Sequence, residues 1–170
     1  TATIAVTPPR VNGSTVSFDV DVRNLTGHKF PTGYPSRRTW LHVTVRDVSG
    51  RPVFESGAIG DDGAIKGNDS DVNPLTFEPH YDRITRPDQV QIYEPILGDR
   101  TGTPTTGLLT ATQYLKDNRL LPRGFDKTTA DPQIAVFGEA RTDSDFTGSG
   151  DRVHYAVDVG VHCVHSNLLD

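Results

Sequence analysis

The stretch Asp143-Ser144-Asp145-Phe146-Thr147-Gly148-Ser149-Gly150-Asp151 sets oxygen-bearing side chains at relative positions 1, 3, 5 and 9, with glycine at 6. A calcium ion takes six to eight hard oxygen ligands, and this spacing can wrap several of them around one point. Asp143, Asp145, Thr147 and Asp151 are therefore one candidate set of metal ligands. The loop departs from an EF-hand, because His154 stands where the closing glutamate would be and the flanks read as strands. A second D-x-D-x-N set, Asp69, Asp71 and Asn73, is followed by Pro74 where glycine would be expected, with Asp61 and Asp62 close in sequence. Asp, Asn and Gly are also the ordinary material of turns, so both sets carry a purely structural reading beside the calcium one.

Six histidines offer a different chemistry: His28, His42, His80, His154, His162 and His165. The tail His162-Cys163-Val164-His165 has metal-ligand residue types, but strand alternation sends Cys163 and His165 one way and His162 the other. Cys163 continues an apolar face, so a buried small side chain is the simpler role. The sequence holds no H-E-x-x-H and no paired C-x-x-C, which leaves zinc hydrolases and structural zinc sites unsupported. Nor does it hold a G-x-S-x-G elbow, a P-loop or a G-x-G-x-x-G turn. No catalytic centre of recognised type is expected.

The densest mixture of residue types runs from Asn24 to His42 and reads NLTGHKFPTGYPSRRTWLH. It combines two glycines, two prolines, aromatic side chains, histidines and cations between two strand-like segments. One reading is a rigid loop that presents His28 and Tyr34, with Arg37 and Arg38 free to pair carboxylates. The other is a loop folded over one end of the domain, with Phe30 and Trp40 plugging the core.

The elements that must position these groups are mostly strands. Val16, Phe18, Val20 and Val22 alternate with Ser17, Asp19 and Asp21, the period of a half-buried strand. Asn12-Gly13 predicts a hairpin turn before it, leading from a segment Ile4–Thr7. Trp40–Asp47, Pro52–Ser56, Val90–Glu94, Ile134–Arg141 and Arg152–His165 read as further strands. Residues 57–89 lose apolar periodicity and form a long irregular excursion, of the kind that is usually functional or held by something specific. One short helix is expected at about 106–118: Thr105 or Thr106 caps it, Leu108, Leu109, Thr112 and Leu115 share a face, and Pro122 and Gly124 stop it. The expected fold is mainly β, an immunoglobulin-like β-sandwich of about seven strands in a single domain over 1–170.

Composition narrows the classes. A chain of 170 residues with 34% hydrophobic residues fits one domain with a modest core. The 16 glycines and 12 prolines fit many turns and few long helices. Net charge is -5 with both signs interleaved, so the basic stripe that nucleic-acid binding needs is missing. No apolar run is long enough for a membrane-spanning helix. The single cysteine excludes an internal disulfide. The absence of methionine and the opening Thr1-Ala2-Thr3-Ile4 fit a processed or excised domain. Glycosylation sequons occur at Asn12, Asn24 and Asn68; chance alone supplies about one such triplet in a chain rich in Ser and Thr, so they carry little weight.

The stretch from Asn24 to Gly57, including GHKFPTGYPSRRTWLHVTVRD and VFESG, resembles the non-haem β-domain that follows multihaem c-type cytochrome domains in bacterial cytochrome c family proteins. The resemblance continues through FEPHYD at 77–82, PDQVQIYE at 87–94 and YLKDNRLLPRGFDK at 114–127, and so spans about Val16 to Val159. It implies a periplasmic or extracellular setting and a link to electron transfer. The chain departs from a cytochrome in having no C-x-x-C-H, so no c-type haem attaches covalently here. A loop histidine would instead approach the haem of a neighbouring domain or chain, with His28 and His80 as candidates.

Three functions follow as expectations. The first is a non-catalytic accessory or binding module of an exported multihaem electron-transfer protein, stabilised by calcium. The second is an extracellular structural or adhesive module that self-assembles through edge strands, with Thr1–Thr7 donated to a neighbour. The third is a metalloenzyme with a histidine site.

Overall fold

A computed structural model describes residues 1–33 and 36–160. Tyr34 and the tail with His162, Cys163 and His165 lie outside the described residues. Among the described residues the fold is mainly β, with several sheets, one short helix and no barrel. In chain order the strands are β1 (Ala2–Val6), β2 (Arg10–Asn12), β3 (Thr15–Asn24), β4 (Thr39–Trp40), β5 (Val43–Arg46), β6 (Pro52–Ser56), β7 (Arg83–Ile84), β8 (Ile92–Tyr93), β9 (Pro95–Gly98), β10 (Gln113–Asp117) and β11 (Gly150–Asp158). Among the described residues the one α-helix, α1, spans Asp69–Val72, and a 3₁₀ turn covers Glu139–Arg141. Among the described residues no helix is long and apolar enough to cross a membrane.

The largest sheet has the order β1-β3-β11-β7, and β2 also pairs with β3. β3 and β11 form its antiparallel centre, with Asp151 opposite Val22, Val153 opposite Val20 and Tyr155 opposite Phe18. The alternation read in the sequence decides which residues go inward. Val16, Phe18, Val20 and Val22 of β3 are buried, as are Asp151, Val153, Tyr155 and Val157 of β11. The Phe18 and Tyr155 rings stack at 5.0 Å. The same alternation sends Asp19, Asp21, Arg152 and His154 to the opposite face, where they stand as cross-strand pairs. Three two-stranded sheets, β4-β8, β5-β6 and β9-β10, supply the remaining ladders.

The hairpin at Asn12-Gly13 forms, with Asn12 paired to Thr15 across a glycine at φ +60°. The segment expected to be donated to a neighbour instead pairs within its own chain, as β1 against the C-terminal half of β3. The strand expected over Trp40–Asp47 divides into β4 and β5 around Leu41 and His42. β8 is buried on both faces: Val90 and Ile92 pack with Ile65 and Trp40, while Tyr93 joins the main core.

Two expected elements are not formed. Residues 106–118 are not a helix; they are a turn at 108–110 followed by β10, which pairs with β9. The expected apolar face fails because Leu108 and Leu109 are exposed. Leu115 instead packs against Gly98, where a Cβ would lie 2.7 Å from its side chain. Ile134–Arg141 is not a strand either, but a turn, one bridge from Phe137 to Asp117, and the 3₁₀ turn. The short helix lies inside the 57–89 excursion, where Asn68 caps it through its side chain. Of the three sequons, Asn24 and Asn68 are buried and hydrogen-bonded, and only Asn12 is exposed.

Candidate functional site

The chemistry-bearing side chains gather at the end of the main sheet where the 143–151 loop enters β11. Strand alternation carries Asp151 to the core face, and its side chain is fully enclosed. It meets His80 from the loop before β7 and Gln91 and Tyr93 around β8, and His80 in turn meets Asn118 after β10 and Asp143 from the loop. His80 Nε2 lies 2.9 Å from Asp143 Oδ2 and 3.8 Å from Asp151 Oδ1. Phe146 closes the site edge-on against the His80 ring at 5.1 Å. Lys127 Nζ donates to the Ala140 and Asp143 carbonyls and sits 5.7 Å from the Phe146 ring centre.

The amide groups fix the tautomer of His80. Gln91 Oε1 accepts from the Tyr81 backbone N–H at 2.8 Å, and Asn118 Oδ1 accepts from the Glu94 N–H at 2.9 Å. Both NH2 groups must therefore face the other way, and both reach His80 Nδ1, at 2.8 and 3.1 Å. Their remaining hydrogens go to Asp151 Oδ2 and the Ile92 carbonyl. His80 Nδ1 is thus an acceptor, and its ring proton sits on Nε2, donated to Asp143. A histidine that ligates a metal through Nε2 normally donates its Nδ1–H to an acceptor. Here that nitrogen faces two donors, so the buried trio His80, Asp143 and Asp151 has ligand residue types but the wrong imidazole tautomer for a metal. With Nδ1 doubly occupied, His80 also has no free lone pair with which to take a proton from a substrate.

The two carboxyls of this network respond differently. Burial pushes Asp143 up, but the His80 N–H and the backbone N–H groups of Asp145 and Phe146 outweigh it and hold the carboxyl below the ordinary aspartate value. Burial pushes Asp151 above its ordinary value, against the opposing pull of His80, Tyr93 and Gln91. Its Oδ2 accepts from the Tyr93 hydroxyl at 2.6 Å, while Oδ1 is buried without a hydrogen-bond partner.

On the outer face of the same sheet stands a second imidazole. His154 Nδ1 lies 2.7 Å from Asp19 Oδ1 across the β3–β11 pair. Its Nε2 lies 3.2 Å from Asp145 Oδ2 and 3.8 Å from Asp82 Oδ1. The Asp19 hydrogen bond, opposed by partial burial and aided by Asp145 and Asp82, raises the imidazole above its ordinary value. The loop expected to close around one calcium ion is therefore divided. Asp143 and Asp151 turn inward to His80, Asp145 turns outward to His154, and Thr147 borders an open cleft with Asp21, Gly148 and Arg152.

The second expected set does not converge. Asp71 binds Arg38 through both oxygens, at 2.8 and 2.9 Å, and also accepts from the Ile65 N–H. Asp69 opens α1 and donates its backbone N–H to Glu78, while Asn73 Oδ1 caps its own turn at Leu75 N–H. Of the two cations expected to pair carboxylates, Arg38 does so; Arg37 donates to the Thr32 carbonyl.

His28 is the exposed partner of the pair of histidines singled out in the sequence. Its loop is pinned by the buried Asn24 side chain, which donates to the carbonyls of His28, Leu120 and Leu121. Phe30 and Leu120 close the far end with two reciprocal backbone bonds, and Lys29 is tied to Asp117 at 2.7 Å. His28 Nδ1 lies 3.1 Å from the Lys29 carbonyl, which can only accept, so Nδ1 carries the proton and Nε2 keeps a lone pair directed away from it. Phe30 and Trp40 pack against the two core clusters, as the core-plug reading expects, and His28 is exposed, as the rigid-loop reading expects, while Tyr34 lies outside the described residues and Arg37 pairs no carboxylate among them. Sequence reasoning missed Gln91, Tyr93, Asn118 and Asp19; only the strict alternation of β3 and β11 marked Asp19 as facing His154. No protein-family model, curated protein or solved structure matches this chain.

Proposed function

We propose that this chain is a non-catalytic accessory module, an immunoglobulin-like β-sandwich, of an exported multihaem electron-transfer protein. In this reading it presents His28 to a haem held by a neighbouring domain or chain. The observation that carries it is the state of His28: exposed, in a loop fixed at both ends, with Nδ1–H bound to a backbone carbonyl and Nε2 without a hydrogen-bond partner among the described residues. That is the arrangement of an imidazole ready to ligate iron. His80 suits the role less well, because it is buried and both its nitrogens are engaged. The non-catalytic part rests on the His80 network, in which both ring nitrogens of the histidine are engaged by other side chains of the chain.

Titrating the full chain with ferric haem tests the reading. The expected result is a saturable shift of the Soret band that His28→Ala removes and His42→Ala leaves in place. A chain that gives no shift, or one that persists in His28→Ala, would overturn the proposal. His28 is exposed, so its replacement is expected to leave the fold unchanged.

A further inference from the structure

We infer that Asp82, Asp145 and His154 form a surface site for one divalent transition-metal ion, with Asp19 as the outer-shell partner of the imidazole. The three ligand atoms come from three separate segments: the approach to β7, the loop before β11, and β11 itself. They all lie within 4.8 Å of one another, and His154 Nε2 is 3.2 Å from Asp145 Oδ2 and 3.8 Å from Asp82 Oδ1. Metal–ligand bonds of about 2.0–2.1 Å at tetrahedral angles put ligand atoms roughly 3.4 Å apart. The observed separations bracket that value, so an ion fits between these atoms with little movement.

The orientation of His154 distinguishes this cluster from the buried one. Its Nδ1 faces Asp19 Oδ1, an acceptor, so Nδ1–H is the natural donor and Nε2 is directed at the two carboxylates. A carboxylate behind the ring fixes the tautomer and the ring angle of a ligating histidine. His80 has two amide donors in the same position, which is why the inference falls on His154 although both trios have the same residue types. The backbone helps as well: His154 N–H donates to the Asp82 carbonyl at 2.8 Å and fixes the approach of that segment.

Charge favours a cation. Asp19, Asp82 and Asp145 bring three carboxylates to one imidazole, and Arg152, the neighbouring cation on β11, is committed to Asp21 through two hydrogen bonds of 2.8 and 3.2 Å. One imidazole with two carboxylates suits borderline ions such as Zn2+, Mn2+ or Fe2+ rather than calcium. Three protein ligands on an open surface leave at least one coordination position for water. Partial exposure of His154 and Asp145, and the exposure of Asp82, give the ion its path in.

Calorimetric titration of the full chain with ZnCl2 tests the site, followed by NMR of the histidine side chains. The expected result is one Zn2+ per chain, with the His154 ring signals moving and the His80 signals unchanged. His154→Gln is expected to abolish that binding, and Asp82→Asn, at an exposed side chain that the fold does not need, to weaken it by at least tenfold. Asp19→Asn keeps all three ligands and is expected to keep the stoichiometry while weakening binding by roughly 10–100-fold. The absence of saturable binding would overturn the inference. So would binding that is unchanged in His154→Gln, including binding that disappears only when His162, Cys163 and His165 are replaced.

Discussion

At the scale of single residues, histidine chemistry in this chain is decided by what faces the second ring nitrogen. His28 Nδ1 meets a carbonyl, His154 Nδ1 a carboxylate, and His80 Nδ1 two amide donors. The first leaves Nε2 without a hydrogen-bond partner among the described residues, the second turns Nε2 toward Asp145 and Asp82, and the third uses the ring as a structural joint. Replacing His80 by Ala would strip the acceptor from the buried Gln91 and Asn118 amides and the donor from Asp143. A loss of about 3 kcal/mol is expected from groups left unpaired in the interior. Urea unfolding of His80→Ala against the parent chain measures it, and a change under about 0.5 kcal/mol, as at an ordinary surface position, would sink the claim that this network holds the sheet end together. None of these differences is visible in the sequence, where six histidines look alike.

At the scale of elements, the chain uses close backbone approaches that its sequence marks only by glycine. Gly57 follows β6 at φ +75°, its carbonyl accepts from Trp40 Nε1 at 2.9 Å, and a Cβ there would lie 2.3 Å from the Leu41 carbonyl oxygen. Gly13 has a similar φ of +60° but open space around its Cβ position. Gly57→Ala is therefore expected to lower the thermal midpoint well beyond Gly13→Ala, which costs only the roughly 1 kcal/mol of a left-handed alanine. Equal shifts in a thermal melt of the two variants would refute the steric account. The strands β3 and β11 were legible because strict alternation survives any tertiary context that buries one face. The helix expected at 106–118 was not, because the three polar residues at its end mislead. Lys116, Asp117 and Asn118 read as a charged exit from a helix, yet all three are buried. Lys116 pairs with Glu94 at 3.1 Å, Asp117 with Lys29 and Arg119, and Asn118 bonds His80 and Ile92. Apart from Arg119, those partners lie 22 to 88 positions away along the chain, and they make that burial tolerable.

At the scale of the whole molecule, long irregular segments are stitched to the sheets by ion pairs. The 57–89 excursion is anchored where Asp71 takes both Arg38 nitrogens and the Ile65 N–H. Burial pushes the Asp71 carboxyl up, but Arg38, Ile65 and Asn68 outweigh it and hold it below the ordinary value of 3.8. The folded state therefore binds this proton less readily than the unfolded chain. Its stabilising contribution is complete above 3.8 and is lost as pH falls through the lower, folded value. Urea midpoints measured with decreasing pH are expected to drop over that acid window, and to drop less steeply in Asp71→Asn. An identical slope in the variant would show that the pair does not couple stability to pH.

The sequence by itself determined the β-rich class, the two alternating strands that carry the core, the hairpin at Gly13, and the faces on which Asp19 and His154 stand. Those features follow from local sterics and from a period of two, which any sheet must obey. Only the tertiary structure decided where the loop carboxylates point. Asp143 and Asp145 are two residues apart, yet they answer to imidazoles on opposite faces of one sheet, His80 and His154. A loop has no period to fix its side chains, so the direction of each carboxylate is set by the partner that packing brings within reach.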